Sequence, residues 1–133
     1  MEARLQNGRV EKGTVTRAGM PAPGTPLCRL DEIGEPGAKG FVFGAGTARF
    51  EMFLIRNEGE VRAYVNECPH ALTPLDIWPD TFLTQDKTRI ICATHAARFT
   101  IADGLCTSGP CVGKSLEPMR IEVVDGMIRI AAK

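Results

Sequence analysis

Two pairs of metal-binding side chains stand out in this 133-residue chain. Cys68 and His70 enclose one residue, and Cys92 and His95 enclose two. Since the chain has only two histidines, a site that needs a third imidazole is excluded. Thiolate and imidazole are ligands for zinc and for iron–sulfur clusters. These four residues are therefore the candidate metal ligands.

The order of the ligands along the chain bears on the kind of metal site. A zinc finger places a cysteine pair first and a histidine pair afterwards, whereas this chain has the order Cys, His, Cys, His. A two-iron cluster in which one iron takes both cysteines and the other both histidines needs one ligand of each kind from each loop. The alternating order meets that need, and a zinc-stabilised binding module stays open as the alternative.

Composition limits what else the chain can be. Its length fits one domain, and 16 Lys and Arg balance 16 Asp and Glu, which gives no support for nucleic-acid binding. No segment has the pattern of a membrane span or a signal peptide. We therefore expect a cytoplasmic protein with neither a membrane nor a nucleic acid as partner.

The five cysteines are an odd number, which in a reducing compartment favours metal ligands and free buried thiols over a disulfide framework. Cys28, Cys106 and Cys111 lie outside the two ligand pairs. We expect all three to be small buried side chains without a redox or metal role.

Short strands separated by turns must position the ligands. Apolar and β-branched residues come in short runs bounded by Gly, Pro, Asn and Asp, and each ligand pair directly follows such a run. Turns are predicted at Asn57–Gly59, Ala102–Gly104 and Asp125–Gly126. The fold is therefore predicted to be all-β, an antiparallel sandwich or barrel. Eight strands are predicted, near 27–30, 40–44, 50–56, 60–66, 88–92, 97–101, 119–124 and 127–131.

Residues 1–26 differ in composition from the rest. They hold four glycines and three prolines without apolar periodicity, which predicts a flexible N-terminal tail. The folded domain is predicted over 27–133, with the cluster-binding part at about 66–112. Within that part, Pro79 limits any helix in 75–87 to a turn or two.

The segments Cys68-Pro69-His70 and Cys92-Ala93-Thr94-His95 resemble the C-x-H and C-x-x-H ligand motifs of the Rieske [2Fe–2S] family. The resemblance extends over most of residues 26–131, and Ser108-Gly109-Pro110 looks like the family's proline-bearing third loop, which covers the cluster. It implies a Rieske-like antiparallel β-sandwich or barrel with a cluster-binding subdomain formed by the two Cys/His loops. It also implies one [2Fe–2S] cluster per chain, with Cys68, His70, Cys92 and His95 as its ligands.

The resemblance implies a stand-alone ferredoxin, an electron-transfer protein and not an enzyme, that carries single electrons between a reductase and a terminal oxygenase or similar enzyme. A self-sufficient oxygenase is excluded, because its catalytic iron would need two further imidazoles. The alternative within redox biology is a small Rieske-type subunit of a larger reductase, of the nitrite-reductase type. An iron–sulfur sensor would need a readout surface that the sequence does not indicate.

Two departures from the family pattern bear on the loops. The family commonly has Gly soon after each histidine, where this chain has Ala71-Leu72 and Ala96. If either backbone takes a positive φ, alanine costs about 1 kcal/mol. High-potential respiratory members carry an additional cysteine in each cluster loop, and neither loop here has one, so the resemblance indicates the low-potential branch.

The resemblance also implies that the histidine tips lie near solvent, where a redox partner docks. Trp78 is one candidate for this face, although core packing is the simpler expectation for it and for Phe82. The residues expected to shield the cluster or to form the docking surface are Pro69, Leu72, Pro74, Ala97 and Pro110.

Overall fold

The computed structural model describes residues 19–69 and 73–131. In this part of the chain no helix is long and apolar enough to cross a membrane. Ten strands form three separate antiparallel sheets, joined by loops and two short 3-10 turns at Leu30–Glu32 and Gly46–Ala48. The expectation of an antiparallel all-β fold is confirmed.

The first sheet has three strands in the order β1-β10-β9. They are β1 (Pro26–Arg29), β9 (Ile121–Val124) and β10 (Met127–Ile130). The β9–β10 hairpin turns at Asp125 and Gly126, which have φ values of 52° and 81°. Positive φ at both central residues is the property of a type I′ turn, so the predicted Asp-Gly hairpin is confirmed.

The second sheet lies in the middle of the molecule and has the order β2-β3-β4-β8. It consists of β2 (Gly37–Phe43), β3 (Phe50–Asn57), β4 (Glu60–Val65) and β8 (Pro118–Met119). The predicted hairpin between β3 and β4 is also confirmed, with positive φ at both residues of its turn. We call this the central sheet, because both of its faces are covered.

The third sheet is small, with three strands of three residues each in the order β5-β6-β7. They are β5 (Arg89–Ile91), β6 (Arg98–Thr100) and β7 (Cys106–Ser108). The turn predicted at Ala102–Gly104 lies between β6 and β7. This sheet carries the second predicted ligand pair in the connection between β5 and β6.

The predicted strands differ from the structure at two places. β7 was not predicted, because Cys-Thr-Ser is too short and too polar to show an alternating pattern. The predicted strand 119–124 is two strands, since Arg120 leaves the ladder and its carbonyl accepts a hydrogen bond from the Ala131 N–H. No helix forms in 75–87, where Leu83 makes an isolated bridge with Ile90.

Two separate cores lie on opposite faces of the central sheet. On β3, Met52 and Leu54 belong to one core and Phe53 and Ile55 to the other, and all four side chains are 0% exposed. This is the two-residue alternation of a strand with both faces buried. The scaffold core, between the first and central sheets, consists of Cys28, Ile33, Phe50, Met52, Leu54, Val61, Ala63, Val65, Met119, Ile121, Ile128 and Ile130.

We call the other the cysteine core, because it contains four of the five cysteines. It lies between the central sheet and the small third sheet. Its residues are Phe53, Ile55, Tyr64, Cys68, Leu75, Phe82, Ile90, Cys92, Ala97, Phe99, Cys106, Cys111 and Leu116.

The predicted tail falls mainly on residues 1–18, which lie outside the described residues. The tail and the domain boundaries therefore stay predictions.

Candidate metal centre

The first predicted ligand loop leaves the central sheet directly after β4. The Cys68 N–H donates to the Thr73 carbonyl at 2.8 Å, which closes the loop. The Cys68 side chain is 1% exposed and faces the cysteine core. His70, together with Leu72, lies outside the described residues.

Asn66 ties the two ends of this loop together. It is the one buried polar side chain among the described residues. Its side-chain oxygen accepts from the Leu75 N–H at 2.7 Å, and its amide nitrogen donates to Asp76 at 3.0 Å. Sequence reasoning missed this positioning residue, although a polar side chain between a strand end and a cysteine is a signal that could have found it.

The second predicted ligand loop is the tip of the β5–β6 hairpin. The Cys92 N–H donates to the Ala97 carbonyl, and the Ala96 N–H donates to the Cys92 carbonyl, both at 2.9 Å. The Cys92 side chain is 1% exposed and lies in the cysteine core, whereas His95 is exposed. The hairpin therefore presents its sulfur inward and its imidazole outward.

Ala96, directly after His95, has a φ of 60°. The family pattern has glycine here, and alanine in the left-handed region costs about 1 kcal/mol. The concern that the sequence raised about this loop is therefore confirmed at Ala96. Ala71 lies outside the described residues.

A backbone hydrogen bond links the two loops. The Ala93 N–H donates to the Leu75 carbonyl at 2.8 Å. Leu75 is fully buried, and its N–H is the group that Asn66 holds. One residue thus connects the base of the first loop to the tip of the second.

A third segment packs against the second loop. Gly109, in the segment Ser108–Pro110 after β7, has a φ of 102°, and a Cβ added there would lie 2.7 Å from the Ala97 Cα. Only glycine permits this approach. The segment that resembles the family's third loop therefore lies directly beside Cys92–Ala97.

The expected shielding and docking residues differ in exposure. Ala97 is fully buried, Pro69 is half-buried, and Pro74 and Pro110 are exposed. Ala97 can therefore shield the site but cannot contact a partner, whereas the two exposed prolines are accessible to one. Leu72 is outside the described residues.

Trp78 and Phe82 differ in burial. Core packing was the simpler expectation for both. Phe82 is fully buried and stacks on Phe53 with ring centroids 4.3 Å apart. Trp78 is 70% exposed, so the expectation of core packing is wrong for it. Pro79 follows Trp78, and the chain turns there through Asp80, whose φ is 60°, without forming a helix.

The three other cysteines are buried, as expected. Cys28 lies in the scaffold core, where burial raises the pKa of its thiol. Cys106 and Cys111 lie in the cysteine core with their sulfurs 3.0 Å apart. Burial, then hydrogen bonding with Cys106, raises the pKa of Cys111 to about 12, and Cys68 acts on it in the same direction. No pattern in the sequence indicated this contact.

The donor set fits an iron–sulfur cluster with mixed ligation. Two buried thiols, Cys68 and Cys92, come from two loops that face one core, and His95 stands on the solvent side. Among the described residues, which leave out His70, no three His, Cys, Asp or Glu side chains group around a single metal ion. This agrees with a Rieske cluster, in which each iron takes only two protein ligands: two Cys on one iron and two His on the other.

Comparison with known proteins identifies a family. The model of the Rieske [2Fe–2S] domain matches residues 25–125. A search of curated proteins finds no match.

Among solved structures, the ferredoxin of carbazole 1,9a-dioxygenase from Nocardioides aromaticivorans IC177 is 26% identical, with a TM-score of 0.62, and the match covers 82% of this chain and 99% of that one. The Sphingomonas yanoikuyae B1 ferredoxin is 24% identical, with a TM-score of 0.61, over 81% of this chain and 97% of that one. At 24% identity, the likeness to the Sphingomonas ferredoxin shows the fold alone.

Proposed function

The chain belongs to the Rieske [2Fe–2S] domain family, and from this we propose that it is the ferredoxin component of an oxygenase system, accepting single electrons from a reductase and delivering them to a terminal oxygenase. The expectations of one [2Fe–2S] cluster and of a one-electron carrier are confirmed by the family match and the ferredoxin neighbour. The specific ligands and partners are our proposal.

We assign the cluster ligands to Cys68, Cys92, His70 and His95. The burial of both thiols and the exposure of His95 support an arrangement in which sulfur ligands face the protein and imidazoles face solvent. When bound, the cluster supplies one-electron redox chemistry, with a potential raised above that of an all-cysteine cluster by the neutral imidazoles. The absence of further cysteines at the two ligand loops supports the low-potential branch.

The protein's own residues hold the loops and limit the access of water. Asn66 fixes the base of the first loop, and Leu75 joins it to the second through the Ala93 N–H. The Ser108–Pro110 segment packs against Ala97 of the second loop through Gly109. His95 is left exposed, so a redox partner can approach this ligand without any opening of the fold.

The observation that carries the proposal is the likeness to a ferredoxin of a dioxygenase system. The Nocardioides ferredoxin is 26% identical, and the match covers 99% of that chain. This likeness supports a carrier that docks on an oxygenase over a permanent reductase subunit and over a zinc module.

The ligand assignment is tested by replacing one ligand at a time in full-length protein prepared without oxygen. Cys68→Ser should lose the EPR signal of the dithionite-reduced cluster, because a sulfur ligand is removed. His95→Cys should keep a cluster but lower its reduction potential markedly, since a thiolate replaces a neutral imidazole. Cys28→Ser, in the scaffold core, is the control and should leave the signal and potential unchanged.

The same preparations decide between iron–sulfur and zinc. Wild-type protein should be coloured and contain two irons and two acid-labile sulfides per chain. Colourless, EPR-silent protein that contains zinc would overturn the proposed function. An unaltered spectrum in both ligand variants would overturn the ligand assignment alone.

The carrier role is tested by electron flow. With a ferredoxin reductase and its nicotinamide cofactor, the holoprotein should stimulate reduction of cytochrome c, a one-electron acceptor, in proportion to its concentration. Cys68→Ser should give no stimulation. A holoprotein that copurifies in fixed ratio with a flavin or haem subunit, and does not exchange electrons when separated from it, would instead support the reductase-subunit alternative.

A further inference from the structure

Cys106 and Cys111 form a pair of thiols that the electron-carrier function does not use. Their sulfurs are 3.0 Å apart, and each side chain is 2% exposed. The Cys111 thiol donates to the Cys106 sulfur, and the Cys106 thiol donates to the Ser108 carbonyl at 3.2 Å. Core packing alone, which the sequence favoured for both residues, requires neither contact.

The backbone holds the two cysteines in this position. The Cys106 N–H donates to the Lys114 carbonyl at 2.8 Å, and the Lys114 N–H donates to the Cys111 carbonyl at 2.9 Å. Residues 106 to 114 therefore form a closed loop, and both cysteine side chains lie in the cysteine core. Because the sulfurs of a disulfide are about 2 Å apart, a closing movement of about 1 Å would join them.

The pair lies one residue below the surface. The direct neighbours of the two cysteines in the chain, Leu105, Thr107, Pro110 and Val112, are all exposed, and so are Ser108 and Gly109 between them. Local opening of this exposed segment would give a small oxidant access to the sulfurs. The Ser108 carbonyl, which loses its thiol donor on oxidation, lies in an exposed residue and can be hydrated.

We propose that Cys106 and Cys111 are a modification site, a dithiol that a peroxide converts reversibly to a disulfide in the wall of the cluster-binding region. The Cys106 sulfur attacks hydrogen peroxide as its thiolate, so that an S–O bond forms, the O–O bond breaks and one water leaves with the thiol proton. The other thiol attacks the sulfenic sulfur, the S–S bond forms, the S–O bond breaks and a second water leaves. The two sulfurs lose two electrons to the peroxide, and each thiol proton ends in a water.

The site lies where it can report on the cluster-binding loops. Cys68, one of the assigned ligands, lies in the same buried core as Cys106 and Cys111. The segment enclosed by the pair packs on Ala97 of the second loop. The disulfide needs only the two sulfurs, so an experiment that excludes it would leave the proposed ligands and electron partners unaffected.

The test uses full-length holoprotein treated anaerobically with about one equivalent of hydrogen peroxide, then unfolded, alkylated and measured by mass spectrometry. The peptide or linked peptides that contain Cys106 and Cys111 should be lighter by two hydrogens and carry no alkyl group, and dithiothreitol should restore both thiols. Cys28 should remain fully alkylated. The visible absorbance of the cluster reports whether it stays bound meanwhile.

Variants of the two cysteines test whether both sulfurs are needed for the oxidised product. Cys106→Ser and Cys111→Ala should each lower the yield of the oxidised, alkyl-free peptide by roughly tenfold or more, because one sulfur is missing, while Cys28→Ser should not change it. Full alkylation of both cysteines in wild-type protein after treatment would overturn the proposal. The wild-type measurement decides even if a variant fails to fold.

Discussion

The two faces of the central sheet are built in different ways. On the scaffold side, a sheet of three four-residue strands packs on the central sheet around a core with one cysteine. On the cysteine side, three strands of three residues are joined by loops, and four of the thirteen buried residues are cysteines. The scaffold side is held by ladders and apolar packing, the cysteine side by loop hydrogen bonds and, on the proposed ligand assignment, by the cluster.

This difference indicates which side of the molecule couples its folding stability to cofactor binding. A ligand that binds only the folded state stabilises it, and a metal site links binding to folding. Cysteines that serve as ligands add little apolar burial of their own. We therefore expect removal of the cluster to loosen the cysteine side first and to leave the scaffold side paired.

The largest effect that tests this comparison comes from two neighbours on β3. Leu54→Ala and Ile55→Ala each remove a fully buried side chain, on the scaffold and cysteine side respectively. Each should lower the free energy of unfolding by about 2 to 5 kcal/mol. Only Ile55→Ala should also release the cluster at denaturant concentrations below the global transition, measured by visible absorbance beside circular dichroism. Equal early release in both variants would refute the division into two sides.

Asn66→Ala should have the next largest effect. It removes two hydrogen bonds and leaves the buried Leu75 N–H without its acceptor, a loss of about 2 kcal/mol. Because Asn66 closes the base of the first ligand loop, the variant should lose iron to a chelator faster than wild type. Asn66→Asp keeps the acceptor but places a carboxylate against Asp76. It should lose iron at a rate between those of wild type and Asn66→Ala. Chelation at the wild-type rate in Asn66→Ala would exclude a positioning role for this residue.

The sequence predicted best what depends on neighbours in the chain. The apolar runs of β3 and β4, the Asp-Gly turn and the order of the Cys/His pairs are local patterns, and the structure has the strands and the turn that they predicted. It predicted less well what depends on distant contacts. Three features arise from packing that no local pattern in the sequence indicates. They are the break between strands at Arg120, the closure of a loop by Asn66 and the contact of Cys106 with Cys111.

Trp78 shows the same limit at the surface. A large aromatic side chain is usually counted toward a core, yet this one is exposed while Phe82, four residues later, is buried against Phe53. The chain between them turns without a helix, so their spacing does not place them on one face. Which of two nearby aromatics packs inside was decided by the partner on β3.

Ala96→Gly tests the cost of loop geometry on the cysteine side. Since Ala96 has a φ of 60°, glycine should raise the free energy of unfolding of the holoprotein by about 1 kcal/mol. Ala97→Gly is the matched control, because Ala97 is fully buried and is not among the residues with positive φ. It should lower stability instead. The denaturation midpoints of the two variants should move in opposite directions, and a shift of both in the same direction would contradict the assignment of strain to Ala96.

Asp86→Asn should have the smallest effect and the clearest pH dependence. One carboxylate oxygen of this exposed residue accepts hydrogen bonds from the Thr84 and Thr88 hydroxyls, both at 2.7 Å, and from the Thr88 N–H at 3.1 Å. These bonds lower the pKa of Asp86 from 3.8 to about 2. The turn before β5 is therefore held best by the ionised group.

A lowered pKa in the folded state means that the stabilisation is complete above the ordinary pKa and is lost as the pH falls toward about 2. The wild-type protein should thus be slightly more stable than Asp86→Asn at pH 7, and the difference should shrink between about pH 4 and pH 2. Thermal melts monitored by circular dichroism at several pH values measure this gap. A constant gap would show that hydrogen bonding to the neutral side chain is sufficient, and that this turn of the cysteine side does not depend on charge.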